Sequence, residues 1–324
     1  MRVALTGGTS LLGATTARLL LARGDDVTVL QRRPSGLPCR EVLGDVVDAS
    51  AVRRAVDGAD AVLHLAAKVD VVGPWAEYER TNVDGTRAVV DACRAAGVGR
   101  LVHVSSPAVA HGGAALVGVG AGRADPEHAR GHYARSKALA EQVALAADGP
   151  ALAVLAVRPH LVWGPGDTQL VGRIVERARE GRLPVVAGGT GLFDTTFLDN
   201  AADALVAAVD ARPVHGEALV VSNGEPRPVV EILARLCGAA GVPFRPRDVP
   251  LPLARAAGAV AEAVWAVTRR RDTPPITRFL AEQLATAHWF DQRRTREALG
   301  WVPRVSLDEG FARLAAWYAV PPPR

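Results

Sequence analysis

Lysine is nearly missing from this chain. Of 38 basic residues in 324, only Lys68 and Lys137 are lysine, and the other 36 are arginine. A GC-rich genome accounts for the general bias toward arginine and alanine, but not for the survival of two lysines. Arginine does not give up its proton and lysine can, so each lysine is a candidate for chemistry. Cysteine is scarce as well. Cys39, Cys93 and Cys237 are an odd number at irregular spacing with no CxxC pair, which excludes a disulfide scaffold and predicts reduced thiols in a cytoplasmic protein. No two histidines share a ligand spacing with carboxylates nearby, so no metal site is expected. The net charge is only +4, and the longest basic run, Arg269-Arg270-Arg271, reads as a solvated loop; nucleic acid is not an expected partner. Long hydrophobic runs are lacking too. The most apolar stretch, residues 251–267, carries Arg255 and Glu262 and is short for a membrane span. It reads as a lid or packing helix, with peripheral membrane contact the lesser reading. No signal peptide is expected, because the residues after Met1 already read as a strand.

What is present is core material: 49% of residues are hydrophobic and 22% charged, which excludes a disordered chain. Short apolar runs alternate with helical periods, the pattern of a parallel sheet covered by helices on both faces. Strands are expected over residues 2–5, 26–30, 61–65, 101–105 and 151–157, and helices over 11–23, 79–96 and 130–147. After Arg158-Pro159 the texture changes, with Gly164-Pro165-Gly166 and a proline-rich stretch at 246–252. The expected organisation is therefore an α/β, Rossmann-type doubly wound domain over 1–158, its sheet completed by parts of 192–222. A smaller interleaved region over 159–191 and 223–324 would bind substrate. Pro321-Pro322-Pro323 reads as a simple tail.

Three patterns carry chemistry. The first is TGGTSLLG, Thr6 to Gly13, between the first strand and its helix. Small residues there let backbone N–H groups of Gly7, Ser10, Leu11, Leu12 and Gly13 approach a pyrophosphate at a helix N-terminus. Ser10 stands where a glycine is usual, and its hydroxyl is expected to bond to the phosphate. The second is Gln31-Arg32-Arg33 at the end of the second strand. An acidic residue there would take a ribose 2′-hydroxyl, whereas guanidinium suits a 2′-phosphate, so NADP(H) is expected over NAD(H), with NAD(H) the alternative. The third is Tyr133-Ala-Arg-Ser-Lys137. With three tyrosines and two lysines, such a pair arises by chance roughly 2% of the time. On a helix both side chains share a face, and an ammonium beside the phenol would lower its pKa and poise it for proton transfer to a carbonyl. Ser105-Ser106, ending an earlier strand, offers a hydroxyl to hold the substrate oxygen.

In this order the Gly-rich turn, Asp45, HLAA at 64–67, Ser-Ser, YxxxK and Arg158-Pro159 resemble an extended short-chain dehydrogenase/reductase over nearly the whole chain. AAK at 66–68, RPHLVWGPGDTQLV at 158–171, FDTTFLDNAA at 193–202, SNGEP at 222–226 and PPITRFLAEQLATAHWF at 274–290 are similar to the 3β-hydroxysteroid dehydrogenase branch. Within it they resemble the bacterial NADPH-dependent reductases of 2-alkyl-3-oxoalkanoates in olefin and β-lactone pathways. The resemblance implies Tyr133 as proton donor, Lys137 as its electrostatic partner and Ser106, by its spacing to Val109, as carbonyl orienter. It implies cofactor contacts at Asp45, Val46, Ala66, Ala67, Lys68, Pro159, Leu161 and Val162, besides Tyr133 and Lys137. Substrate contacts are implied at Lys68, Asn82, Ser106, His160 and Trp163, with His160 a pocket position and not a catalyst, and Asn82 tying the active-site helix. Lys68 would anchor a substrate carboxylate or touch the cofactor. The partners implied are a small hydrophobic keto acid, a second copy in a homodimer and a neighbouring β-lactone synthetase. Two other functions fit the same residues: oxidation of a 3β-hydroxysteroid or sterol, and a regulator that senses NADP(H) without turnover. Retention of both Tyr133 and Lys137 favours an enzyme.

Overall fold

The computed structural model describes residues 1–70, 72–268 and 276–320. The arginine run at 269–271, the start of the 274–290 block and the proline tail lie outside the described residues. The first half runs β1 (Arg2–Thr6), α1 (Leu11–Ala22), β2 (Asp26–Gln31), β3 (Arg40–Leu43), α2 (Ala49–Val56), β4 (Ala61–His64), α3 (Trp75–Tyr78), a π-helical turn (Glu79–Asp84), α4 (Gly85–Ala95), β5 (Arg100–Val104), β6 (Leu116–Val119) and α5 (Gly131–Leu145). Then come β7 (Ala153–Pro159), β8 (Val162–Trp163), α6 (Val171–Arg179), β9 (Pro184–Val186), β10 (Leu192–Phe193), β11 (Thr196–Phe197), α7 (Leu198–Asp210) and β12 (Glu217–Val221). The last third holds β13 (Arg227–Pro228), α8 (Val229–Ala239), β14 (Arg247–Val249), α9 (Leu251–Thr268), α10 (Arg278–Ala285), β15 (His288–Phe290), α11 (Arg293–Leu299) and α12 (Leu307–Ala319).

Seven strands form one parallel sheet in the order β12-β7-β5-β4-β1-β2-β3. Alternation along each strand decides which helices it meets. Val3, Leu5, Val27, Val29, Leu63, Val102 and Leu155 face α1 and α7, whereas Ala4, Leu30, Val62, Leu101 and Val154 face α2 and α4, as period-two side chains must. Because the strands are parallel, Thr6, Gln31, His64, Val104 and Pro159 all end at one edge of the sheet. The order reverses beside β1, and open α/β sheets bind ligands in the crevice at that point. A second core, around Trp163, Phe197, Phe193, Leu236 and Phe311, holds the smaller region together.

Several expectations shift. The helix read over 79–96 begins earlier, as α3, and passes through a π turn before α4. The strand expected at 151–157 starts after a Gly149–Leu152 bridge and runs to Pro159. β3 and α2 went unread, since each is only one or two turns or pleats long. The apolar stretch at 251–267 is indeed a packing helix: Gly258 of α9 lies so close to the Thr277–Arg278 backbone that a Cβ would come within 2.5 Å. Its other face leaves Leu253, Val260, Val264 and Val267 exposed. Among the described residues, no helix is long and apolar enough to cross a membrane.

Candidate active site

The Gly-rich turn closes tightly on the sheet. Gly7 has φ of +83°, and a Cβ there would lie 2.9 Å from the Ala66 nitrogen; one on Gly13 would lie 2.4 Å from the Gly7 carbonyl oxygen. Only glycine fits either place, and the cradle so formed suits a dinucleotide pyrophosphate approached by the first-turn N–H groups of Leu11 and Leu12, which lack intrahelical acceptors. The Ser10 hydroxyl is used inside the turn. It donates to the Gly7 carbonyl at 2.8 Å and accepts from the Gly13 N–H at 3.0 Å, capping α1. The expected bond to phosphate gives way to this local one. Arg32 and Arg33 are both exposed just beyond β2, while the nearby Glu41 carboxylate is held by Ser35 and by Gln31 at 3.0 Å. Asp45 accepts from the Val47 N–H at 3.2 Å, and Val46 is buried, packing on Gly85.

At the ends of β5 and β7 stands the Ser–Tyr–Lys group. Ser105 is buried with its hydroxyl unpartnered, whereas Ser106 begins the short 3₁₀ turn Pro107–Ala110 and shares a hydrogen bond with the Tyr133 phenol. This singles out Ser106. Tyr133 is half-buried on the first turn of α5. Burial pushes its phenol above the ordinary value, and the Ser106 bond offsets this only partly. The expected lowering by Lys137 is therefore not what the structure shows. Lys137 lies one turn on, buried, its ammonium donating to the Val104 carbonyl at 2.6 Å. Desolvation brings this lysine down to about 8, against the upward pull of Glu141. Glu141 is itself paired with Arg158 of β7, Nε to Oε2 at 2.8 Å, both side chains 1% exposed. Arg158 also donates to the carbonyls of Ala121 and Gly122.

Asn82 links two elements of the site. Its carboxamide accepts from the Lys68 N–H at 2.7 Å and donates to the Ser136 hydroxyl at 2.8 Å, joining the segment after β4 to α5. Ala66 and Ala67 sit half-buried in that same segment. Beyond β7, Pro159 is buried, Val162 half-buried, and Leu161 adopts φ of +43°. A branched side chain in that region costs about 1–3 kcal/mol and marks a site held by its surroundings. Its carbonyl accepts from the Thr196 N–H at 3.3 Å. His160 is buried with Nδ1 on the Asp194 carbonyl and its ring 5.0 Å from Phe290. Burial lowers it to about 4, so it stays neutral and has no proton to give at neutral pH. Trp163 stacks on Phe311 at 4.7 Å within the second core, its indole N–H donating to the Thr195 hydroxyl.

Lys68 also finds another use than the one expected. Its ammonium is 2.6 Å from Asp70 and 3.1 Å from Glu77 and lies over the Tyr78 ring at 5.1 Å. A cation already facing two carboxylates has little charge left for a third. Lys68→Met is thus expected to leave the preference for an acid over its methyl ester unchanged; a selective loss of acid binding would restore the anchoring role to Lys68. Two buried titratable groups are not announced by the sequence. Asp194 is fully buried among Ser222 and the N–H groups of Gly224 and Glu225 and is raised to about 6, chiefly by burial. His111 lies five residues beyond Ser106, buried and unpartnered. No local spacing announces either one, since their neighbours come from distant segments.

Comparison with known proteins agrees with this geometry. Residues 4–251 match the 3-beta hydroxysteroid dehydrogenase/isomerase family. A 2-alkyl-3-oxoalkanoate reductase of Stenotrophomonas maltophilia is 43% identical, the alignment covering 98% of this chain and 99% of that one. One of the same name from Shewanella oneidensis is 35% identical over 96% of this chain and 85% of its own. Among solved structures, MoeE5 in complex with UDP-glucuronic acid and NAD superposes with a TM-score of 0.76 at 25% identity, covering 98% of this chain and 99% of that one. With the family match spanning most of its length and these relatives aligned nearly end to end, the chain belongs to the 3-beta hydroxysteroid dehydrogenase/isomerase family and is an NAD(P)-dependent oxidoreductase of the short-chain dehydrogenase/reductase type.

Proposed function

We propose that the protein reduces a 2-alkyl-3-oxoalkanoic acid to the 2-alkyl-3-hydroxy acid, with NADPH preferred over NADH. The observation that carries the reading is the Ser106–Tyr133–Lys137 group at the sheet edge of a chain 43% identical, almost end to end, to a reductase of that name. The nicotinamide cofactor, when bound, supplies the hydride. Ser106 and Tyr133 together hold a ketone oxygen, and Tyr133 passes its phenolic proton to that oxygen as the carbon is reduced. A phenol held above its ordinary pKa keeps that proton at neutral pH, as a proton donor must. Lys137 adds positive charge beneath the group, fixed by the Val104 carbonyl. The Gly7–Gly13 cradle would hold the pyrophosphate, and Arg32 and Arg33 the adenosine 2′-phosphate.

The test is oxidation of NADPH by purified protein with synthetic 2-alkyl-3-oxo acids, set beside NAD(P)-dependent oxidation of a 3β-hydroxysteroid. Preference for the steroid would overturn the reading. For the cofactor, replacing Arg32 and Arg33 with alanine is expected to cost about 1–3 kcal/mol in kcat/KM for NADPH, as charge-assisted bonds are lost, with little change for NADH. Equal losses for both would show that these arginines do not read the phosphate. We extend the same reading to a cytoplasmic homodimer whose product passes to a β-lactone synthetase, and sedimentation of the purified chain tests the dimer.

A further inference from the structure

A keto acid reductase needs a cation or a strong donor for the carboxylate, and only one carbon separates that carboxylate from the ketone. The anion must therefore lie close to Ser106 and Tyr133. Lys68, the lysine at this edge of the sheet, is committed to Asp70 and Glu77. His160 has its Nδ1 on the Asp194 carbonyl.

The segment leaving Ser106 offers a different pair. The 3₁₀ turn Pro107–Ala110 delivers His111, whose N–H bonds to the Ala108 carbonyl at 3.3 Å. Its ring is only 3% exposed, and neither ring nitrogen has a hydrogen-bond partner. The ring instead meets aromatic neighbours, His288 at 4.6 Å and Phe279 at 5.7 Å. A buried imidazole with both nitrogens unmatched is costly, and native structures rarely keep one without a purpose. Arg130 approaches the same segment from the other side. Its guanidinium lies 3.1 Å from where a Cβ of Gly113 would be, and it precedes Tyr133 by three residues at the start of α5. Arg130 is half-exposed and weakly engaged: its carboxylate neighbour, Glu282, is 3.8 Å away and already holds Arg255 at 3.0 Å. Arg130 thus meets the segment 111–113 that leaves the Ser106 turn, and it caps the helix that carries Tyr133.

We propose that His111 and Arg130 form the carboxylate-recognition site of this active centre, His111 donating a ring N–H and Arg130 its guanidinium to the acid group of the substrate. The inference rests on the keto acid reading given above. Burial first, and then the Arg130 guanidinium, lower the His111 imidazole, against an upward pull from Glu282, and the neutral form still offers one N–H donor while its other nitrogen stays within the aromatic cluster. The division of labour is physically sensible. Arg130, at the rim, attracts the anion from solvent, and His111, inside, sets its orientation. Such a hold also has a chemical use. Donors that polarise a ketone oxygen favour loss of carbon dioxide from the adjoining acid, and a carboxylate fixed by its own donors is kept out of the orientation that loss requires.

The experiment compares a 2-alkyl-3-oxo acid with its methyl ester, using the full chain and NADPH, for wild type, His111→Phe, His111→Gln and Arg130→Gln. His111→Phe retains an aromatic ring beside Phe279 and His288 but no donor. We expect it and Arg130→Gln each to lower the acid-to-ester ratio of kcat/KM about tenfold to a hundredfold, the size expected for a charge-assisted hydrogen bond. His111→Gln, which keeps an N–H, should recover part of the loss. Parallel changes for acid and ester, or none, would overturn the carboxylate site while leaving the reductase reading intact. Wild-type protein that reduces neither compound would overturn the reductase reading itself. Loss of fold in His111→Phe, seen by circular dichroism, leaves Arg130→Gln and His111→Gln to decide, and an unaltered ratio in both counts against the site.

Discussion

Tyr133→Phe is expected to lower kcat by about two to four orders of magnitude, the usual worth of a positioned general acid. The variant keeps the ring, so the half-buried pocket on α5 stays filled and the cofactor Kd, read by fluorescence titration, should hardly move. Ser106 loses its phenolic partner and cannot replace the proton. Lys137→Arg should be nearly as damaging, for a different reason: the compact ammonium sits fully buried 2.6 Å from the Val104 carbonyl, and a planar guanidinium has neither the room nor the geometry for that place. Substantial turnover by Tyr133→Phe would move the acid elsewhere. His160 would then be the first residue to test, although its neutral, bonded state argues against it.

Breaking the Arg158–Glu141 pair should have the largest effect on stability. Both side chains are almost inaccessible, so Arg158→Met strands a carboxylate in the core, at a cost of about 3–5 kcal/mol by denaturant unfolding. Removing both charges, as Glu141→Leu with Arg158→Met, should recover much of that loss, since a well-packed apolar pair can match a buried ion pair. A double variant no better than the single would show that Arg158 matters chiefly through the Ala121 and Gly122 carbonyls. Glu141→Gln probes the same pair through chemistry. Glu141 pulls Lys137 upward from the low value that burial imposes, so its loss lowers Lys137 further below about 8. A lysine whose pKa falls loses its proton at lower pH, and the alkaline decline of kcat should shift in that direction.

How far the sequence speaks depends on the range of the interactions concerned. TGGTSLLG and Tyr133–Lys137 were legible because their chemistry is written within one turn or one helical repeat, where a fixed spacing implies a fixed geometry. The alternating strands were legible for the same reason. The Lys68–Glu77 pair was not legible, because Glu77 reaches the lysine from a short helix that no periodicity announces. Trp163 was assigned to the site by its place in a motif, yet its partner Phe311 comes from the last helix. Ser10 was read against a glycine consensus, whereas a serine opening a helix has a capping role of its own. The sign of the Tyr133 shift depended on burial, which no residue spacing encodes.

The strand order has a bearing on how the chain is made. The carboxyl-side neighbour of β7 is β12, which begins at Glu217, 58 residues after β7 ends at Pro159. The buried guanidinium of Arg100 in β5 likewise finds its acceptors downstream, at the Ala208 carbonyl (2.8 Å) and the Val214 carbonyl (2.6 Å). During synthesis at about 5–20 residues per second, β7 therefore waits roughly 3–12 s with one edge unpaired. For that interval a nascent chain carries the catalytic helix and the cofactor turn but an open sheet edge, which is a template for pairing with other chains. Ribosome-bound chains halted between residues 160 and 216 should bind chaperones and yield to protease, and those extended past the end of α7 and β12 should not.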